Sequence, residues 1–252
     1  MLSCRHSVVS LCLCLISPLQ LLSQDKIISL RGTEERVTEG LIIGTTPDGS
    51  PRIRTKDGVE TTVRIGEVRS IIKDEPPEVV SAREAFLKGD YDKAIELAIP
   101  TAEQFSGLPV FWAVEAFGII ADSYLQKADR QNAANWYKRL SQAYGQTQFK
   151  SKGEIGLARI ALLEGNTRAA EQTVLSLVEK AKSTLRPSQV ESQVFADAFF
   201  VLAKIQEKNQ SYAEAFASYL RIPALYPENP TLVRQATQAA NLLKAEHKVY
   251  VD

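Results

Sequence analysis

Apolar and polar residues alternate along the first part of the chain and then change to a helical period. Between residues 26 and 72, isoleucine, valine and threonine recur at every second position in short runs. That period of two is typical of strands. From residue 79 onward, apolar residues recur three and four positions apart, as on one helix face. The chain is therefore predicted to be α+β and mainly α, with a small N-terminal antiparallel β barrel or sheet followed by an α-helical solenoid.

The alternating runs predict five strands: Lys26–Leu30, Val37–Gly44, Arg52–Lys56, Glu60–Ile65 and Val68–Ile72. Pro47-Asp48-Gly49 suits a type I or II turn, and Asp57-Gly58 is a hairpin signal. The double proline Pro76-Pro77 marks a stiff linker. These signals predict a β module at residues 25–74, a linker at 75–78 and a helical domain at 79–252.

A turn pattern, Gly-Asp-Tyr-x-x-Ala, occurs at Gly89–Ala94 and recurs in degraded form at Ala128–Ala133, Gly165–Ala170 and Gln210–Ala215. Each copy stands between two helical stretches. A helix-turn-helix unit that cannot bury its own apolar face must stack on a neighbour, so the repetition predicts a solenoid. The closing alanines are 39, 37 and 45 residues apart, which is longer than a standard unit of about 34 residues. In the longest interval, Pro187 predicts a loop.

Large and small residues follow one order in the better preserved units, and the fourth unit also ends in a proline. The second unit has Phe117, Ile120, Ala121, Tyr124, Ala133, Tyr137 and Leu140, and the fourth has Phe199, Leu202, Ala203, Tyr212, Ala215, Tyr219, Ile222 and Pro227. This order resembles the tetratricopeptide repeat (TPR) family. The resemblance covers residues 79–227 and implies a concave surface that binds a protein or peptide. Residues 230–247 are predicted to form a C-terminal capping helix.

The β module has its own resemblance, carried by Lys26–Gly32, Glu39–Ile43 and Val68–Ile72. These segments resemble the small SH3-like barrels that precede helical repeats in exported bacterial proteins. Four cations of this module, Arg52, Arg54, Lys56 and Arg64, are expected to form a solvated face that Glu60 and Glu67 partly neutralise, in preference to a basic binding face.

Residues 1–24 have the composition of a secretory signal peptide. Arg5 and His6 precede the apolar run Val8–Ile16, and Pro18 ends that run. The run is shorter than the roughly 20 apolar residues that cross a bilayer. We therefore predict export to the periplasm or secretion, with cleavage near Ser23, and no transmembrane span.

All three cysteines, Cys4, Cys12 and Cys14, lie in this N-terminal segment. A leucine precedes Cys12 and another precedes Cys14, whereas a bacterial lipoprotein signal requires a small residue there. Lipid anchoring is therefore the less favoured alternative. The mature chain would contain no thiol, which excludes disulfides, thiolate metal sites and cysteine nucleophiles.

Equivalent positions of the four units provide the candidate binding residues. Six residues before the turn position lie Arg83, Asp122, Arg159 and Lys204. The TPR resemblance implies that this position faces the concave side. Three cations around one anion would suit a peptide carboxylate or acidic side chains, because arginine binds carboxylates in a bidentate manner. The alternative is ion pairing between repeats, with Asp122 joined to Arg83 or Arg159.

Aromatic residues are mostly explained by packing. Trp112, Trp136, Phe195, Phe199 and Phe200 are expected in the core or between repeats. Phe86 and Phe200 are also the inner-surface aromatics that a second functional hypothesis requires, in which the solenoid captures a small molecule or glycan. So few stacking candidates favour the protein or peptide partner.

Composition and motifs argue against nucleic-acid binding and against catalysis. The chain has 30 basic and 30 acidic residues, which disfavours a general nucleic-acid binder. The mature chain has one histidine, His247, and lacks phosphate-binding loops, nucleophile elbows and histidine-rich metal spacings. We predict a non-catalytic exported adaptor or scaffold without a cofactor or metal. Self-association through a sheet edge or an open solenoid end is a third, structural alternative.

Overall fold

The computed structural model describes residues 24–249, so the predicted signal segment and its cysteines lie outside the described residues, except for residue 24. Within this range the protein is α+β and mainly α, as predicted. The strands are β1 (Asp25–Arg31), β2 (Glu34–Thr45), β3 (Pro51–Arg54), β4 (Glu60–Thr62) and β5 (Val68–Ile72). The helices are α1 (Pro77–Leu87), α2 (Tyr91–Gln104), α3 (Phe111–Gln126), α4 (Arg130–Ala143), α5 (Lys150–Leu163), α6 (Thr167–Ser183), α7 (Gln189–Lys208), α8 (Tyr212–Leu225) and α9 (Pro230–His247).

The five predicted strands form one antiparallel sheet in the order β4-β3-β2-β1-β5. Asp57 and Gly58 lie in the β3–β4 turn, where Arg54 pairs with Glu60 in register. Strand β4 ends at Thr62, three residues earlier than predicted, because a 3-10 turn at residues 65–67 leads the chain into β5. Alternation directs Ile27, Ile42 and Ile53 into the core of the module, each at most 1% exposed.

The helices pack in sequence, each against the next, from α1 to α9. Helix α1 also contacts α3, and α5 contacts α7. Within residues 24–249, α3 and α5 have no comparable contact, and neither do the second helices of the units with one another. In a curved stack, the layer whose helices approach more closely lies on the inner side. We therefore refer to α1, α3, α5 and α7 as the inner helices.

The four repeated turns share one backbone geometry. A left-handed residue ends the first helix of each unit, with φ values of 80°, 60°, 86° and 62° at Gly89, Ala128, Gly165 and Gln210. The following residue donates its backbone N–H to the carbonyl five residues earlier, which is the Schellman arrangement. In the first three turns the side chain of this residue also caps the next helix: Asp90, Asp129 and Asn166. One short segment thus stops a helix and starts its antiparallel neighbour.

Helix boundaries in the linker and at the C-terminus follow the prolines. Helix α1 begins at Pro77, inside the predicted linker at 75–78, because proline fits the first turn of a helix, where its missing N–H is not needed. The predicted loop containing Pro187 separates α6 from α7. The predicted helix at residues 230–247 is α9. The closing alanines of the turn pattern, Ala94, Ala133, Ala170 and Ala215, are fully buried.

The β module docks on the connection between α2 and α3. Thr45 donates its hydroxyl to the Ser106 carbonyl at 2.7 Å, and the Gln104 amide donates to the Ile43 carbonyl at 3.1 Å. Gly49 and Gly107 meet at the centre of this contact, where a Cβ on Gly107 would lie 2.7 Å from the Gly49 Cα. The close backbone approach explains why both positions carry glycine.

A buried ion pair lies at the end of the sheet nearest to the helices. Lys73, which follows β5, contacts the first residue of β1 through a 2.9 Å bond between its Nζ and Asp25 Oδ2. Their side chains are 12% and 7% exposed. The Trp112 indole N–H of α3 donates to the Lys73 carbonyl at 3.3 Å. Lys73, just before the predicted linker, is therefore held in place by β1 on one side and by α3 on the other.

Candidate interaction surface on the inner helices

The four residues singled out from the sequence lie one on each inner helix: Arg83 on α1, Asp122 on α3, Arg159 on α5 and Lys204 on α7. Their side chains are 32–43% exposed, so all four reach solvent while the helices that carry them are packed. We refer to them as the first row. A helix turns twice in about seven residues, so the residues seven positions earlier should lie on the same helix face.

Those earlier positions hold a second row, Glu115, Lys152 and Asp197, which the sequence analysis did not identify. The signal was available, because charged residues at a spacing of seven recur in the second, third and fourth units. The first row shares one position of the repeat, whereas the second row lies two helical turns earlier. The second row became visible only when the helices were placed side by side.

Ion pairs within and between the two rows connect neighbouring inner helices. The Arg83 guanidinium donates to both carboxylate oxygens of Glu115, at 2.6 and 2.7 Å, and also contacts Glu75. Lys152 Nζ lies 3.7 Å from Asp197 Oδ2. The contacts of Arg83 with Glu115 and of Lys152 with Asp197 each join an inner helix to the next inner helix along the stack.

The middle pair is the one that the sequence offered as an alternative to binding. Arg159 Nη1 lies 3.0 Å from Asp122 Oδ1, so α3 and α5 are joined directly. Lys204 contacts Glu207 on its own helix at 3.1 Å. The structure thus places every cation of the first row against a carboxylate. An anionic partner would have to compete with these carboxylates for the cations.

Two glycines on α5 allow the middle pair to form. Tyr137 of α4 lies across Gly156, and a Cβ on Gly156 would overlap the tyrosine ring. The Tyr137 hydroxyl passes over this position, donates to Asp122 at 2.6 Å and lies 3.3 Å from Arg159 Nη1. Gly153, one turn earlier, is equally close to the α4 backbone. Tyrosine, aspartate and arginine therefore form one network whose geometry depends on the absence of side chains on α5.

Burial shifts the pKa values of the groups at the base of this surface. Desolvation raises the pKa of Asp197, and repulsion by Asp122 adds to it, while Lys152 and Arg159 oppose the shift. Desolvation and the neighbouring Asp122 carboxylate also raise the pKa of Tyr137 well above its usual value. Desolvation disfavours the charge on Arg159, but the attractions of Asp122, Tyr137 and Asp197 together outweigh it, so the pKa of Arg159 is raised. Asp197 is the member of the network whose charge is least well compensated.

An apolar strip runs beside the first row. Three residues beyond each of its first three members lie Phe86, Leu125 and Leu162, all half-buried. On α7 the equivalent residue is Glu207. The strip therefore ends where the fourth unit begins. Over the first three inner helices, apolar side chains lie beside the charged first row.

The two aromatic candidates lie at opposite ends of the inner layer. Phe86 on α1 packs against Tyr91, with ring centroids 5.7 Å apart. Phe200 on α7 packs against Tyr219 at 5.5 Å and lies beneath the Lys204 ammonium at 5.9 Å. The structure does not bring the two rings together. The aromatics expected in the core, Trp112, Trp136, Phe195 and Phe199, are at most 8% exposed.

The surface of α3 has a gap between its two charged residues, where Gly118 has no side chain; we call this gap the notch. Gly118 lies three residues after Glu115 and four before Asp122, on the half-exposed side of the helix, and a Cβ at this position would meet no atom within 4 Å. Unlike Gly156, it is not needed for packing. Glycine in a helix interior destabilises by about 1 kcal/mol relative to alanine, so the notch is an open feature of the surface.

Three of the four basic residues of the β module, Arg52, Arg54 and Arg64, lie against Glu60 or Glu67, which partly neutralise them as expected. Glu60 accepts hydrogen bonds from both Arg52 and Arg54, at 3.0 and 2.7 Å. Within residues 24–249 there is no group of three or more histidine, cysteine, aspartate or glutamate side chains placed to hold a metal ion. No helix of that range has the length and apolarity needed to cross a membrane.

The chain matches no protein-family model, and no curated protein matches it significantly. The function must therefore be inferred from the residues and their arrangement.

Proposed function

We propose that this protein is an exported, non-catalytic adaptor or scaffold that binds a protein or peptide through the surface of its inner helices. The proposal rests on one observation: half-exposed charged rows, an apolar strip and an open notch extend along neighbouring inner helices. A surface of this length suits an extended or helical segment of a partner better than a small molecule, which requires a concave pocket that buries most of its surface. The TPR resemblance supports the same class of partner.

The pairing within the rows suggests how such a surface works. Charges held by carboxylate–cation contacts on helices are fixed in direction before a partner arrives, which reduces the ordering that binding requires. A partner whose charges match this pattern competes successfully for the paired groups, whereas a partner with the wrong pattern leaves charges unpaired. The apolar strip would supply affinity and the charged rows would supply selectivity.

The notch at Gly118 provides the test. In the mature chain, Gly118→Leu should fill the notch without a clash and should leave or raise stability, because leucine is a better helix former than glycine. A photo-crosslinking residue at position 118, used in envelope extract, should capture a defined partner protein, and Gly118→Leu should lower affinity purification of that protein at least tenfold. Ala213→Leu, a similar enlargement on α8, is the matched control and should not change it.

A charge exchange tests selectivity separately. Lys152→Asp combined with Asp197→Lys keeps an ion pair between α5 and α7 but reverses its direction. Retained stability with lost partner capture would support the proposal. Unchanged capture by both this variant and Gly118→Leu, or equal crosslinking from positions 118 and 213, would refute it. So would specific binding of a glycan without a protein partner.

A further inference from the structure

The two edges of the sheet differ in what borders them. Strand β4 forms one edge with only three residues, all exposed, and its Glu60 is engaged by arginines of β3. Strand β5 forms the other edge with five residues and, within residues 24–249, pairs with β1 alone. Alternate N–H and C=O groups of an edge strand point away from the sheet and remain available to another backbone.

A slot runs along the free edge of β5. It is a depression of about 320 Å³ lined on one side by residues 65–66 and 68–71, and on the other side by Pro109 and Gln146–Phe149. Its β5 side spans four consecutive residues, about 13 Å at 3.3 Å per residue. We call it the β5 slot. The far wall comes from the α4–α5 connection, so the docking of the β module on the helices creates it.

We propose that the β5 slot binds an extended segment of a partner protein, which adds to the sheet as a sixth strand and places an acidic side chain opposite Arg69. The proposal concerns the β module and does not depend on binding at the inner helices.

The far wall decides between a single strand and a second copy of this chain. A copy that paired through its own β5 would bring β1 with it on the other side of that strand. Pro109 and residues 146–149 occupy the border of the slot on that side. A free segment has no neighbouring strand, so only its own width must fit between β5 and the wall.

Arg69 determines the charge of the segment. Among the residues that line the slot, Arg69 is the only charged one, and it makes no ion pair within the described part of the chain. Its exposed side chain contrasts with Arg52 and Arg54, which Glu60 engages at the other edge. Directly opposite residues on neighbouring strands interact, and an opposite-charge pair contributes roughly 0.2–1 kcal/mol. An acidic residue of the added strand, directly opposite Arg69, would form an ion pair with it.

The experiment selects linear heptapeptides from a random displayed library against the mature chain. Selected peptides should share an acidic residue. Hydrogen exchange should show that they protect amides of β5. Methylation of alternate peptide nitrogens, those that face β5, should abolish binding, while methylation of the other nitrogens should not.

Two variants locate the site. Arg69→Glu should weaken the selected peptides at least tenfold, whereas Arg64→Glu, an equal charge change outside the slot, should not. Gly66→Trp should block binding by volume, and a Cβ at Gly66 meets no atom within 4 Å. Gly118→Leu should have no effect, which separates this site from the inner-helix surface.

Three results would overturn the proposal: no selected peptide above background, peptides that bind equally well to Arg69→Glu and Gly66→Trp, or binding without protection of β5. Thermal unfolding of each variant shows that it is folded, so that loss of binding cannot come from loss of structure.

Discussion

Two glycines inside inner helices lack a side chain for different reasons. Gly156 has no side chain because the Tyr137 ring occupies that space, whereas Gly118 has no side chain although its space is empty. Both lie inside helices and neither has a left-handed backbone. Sequence alone gives them the same description, and the neighbouring helix gives them different roles.

Alanine substitutions at these glycines should therefore change stability in opposite directions. Gly156→Ala should lower the free energy of unfolding by about 1–3 kcal/mol, because Tyr137 must leave its position. Gly118→Ala should raise it by about 1 kcal/mol through helix propensity. Urea unfolding measures both. A stabilising Gly156→Ala would show that Tyr137 does not lie across α5.

The repeated turn contains two residues in a conformation that they disfavour. Ala128 and Gln210 have φ near 60°, where Gly89 and Gly165 serve in the other turns. Side chains with a Cβ lose roughly 1–2 kcal/mol in this region, although glycine has more freedom to lose on folding.

Ala128→Gly and Gln210→Gly should each raise the free energy of unfolding by about 0.5–1 kcal/mol, as measured by urea denaturation. Gly165→Ala is the reciprocal control and should lower it by about 1 kcal/mol. If the glycine variants lose stability, the turns do not share the geometry described above.

Among the elements, α3, α5 and α7 are linked by a network in which Asp197 is the weakly compensated charge. Its contact with Lys152 is 3.7 Å long, and desolvation raises its pKa. A carboxyl with a raised pKa holds its proton more tightly in the folded protein than in the unfolded chain. Its contribution therefore favours folding at low pH and is lost as pH rises from 3.8, the ordinary value, through the folded pKa.

Asp197→Asn should be more stable than the unmodified protein at pH 7, because the amide carries no charge to desolvate. The difference should shrink as pH falls and vanish well below pH 3.8, where the Asp197 carboxyl is protonated in both the folded and the unfolded state. Thermal unfolding between pH 3 and 8 measures this. A variant less stable at pH 7 would mean that the Lys152 contact outweighs desolvation.

For the whole molecule, the decisive contact is the one between the sheet and the α2–α3 connection. It is formed by backbone at Gly49 and Gly107 and by hydrogen bonds from Thr45 and Gln104. The same contact brings β5 beside the α4–α5 connection and so forms the β5 slot.

Gly107→Ala should disturb this docking. Its φ of 82° and the 2.7 Å approach to the Gly49 Cα predict a loss of about 2–4 kcal/mol from strain and overlap. Gly58→Ala shares the strain, with φ of 84°, but a Cβ there meets no atom within 4 Å, so it should lose only about 1–2 kcal/mol. Equal losses in urea unfolding would mean that the glycines do not form a tight contact.

Periodicity and turn residues were sufficient to predict the fold class, the five strands, the repeated turns and the last helix, because these depend on neighbours within about ten residues. The first row was also found from the sequence, since equivalent turns index equivalent helix positions. The sequence could not decide which carboxylate pairs with each cation of the first row, because it places these residues on a helix face without fixing the distances between helices.

The tertiary structure alone decided which carboxylate pairs with which cation and which glycine has a neighbouring side chain in the space of its missing Cβ. It also decided where the sheet contacts the helices. Asp122 and Arg159 are 37 residues apart in the chain, and Thr45 and Ser106 are 61 apart. Such contacts follow from the rotation of each helix against the next and from the docking of the module. Local patterns specify elements; the distances between elements arise only when buried surfaces are packed together.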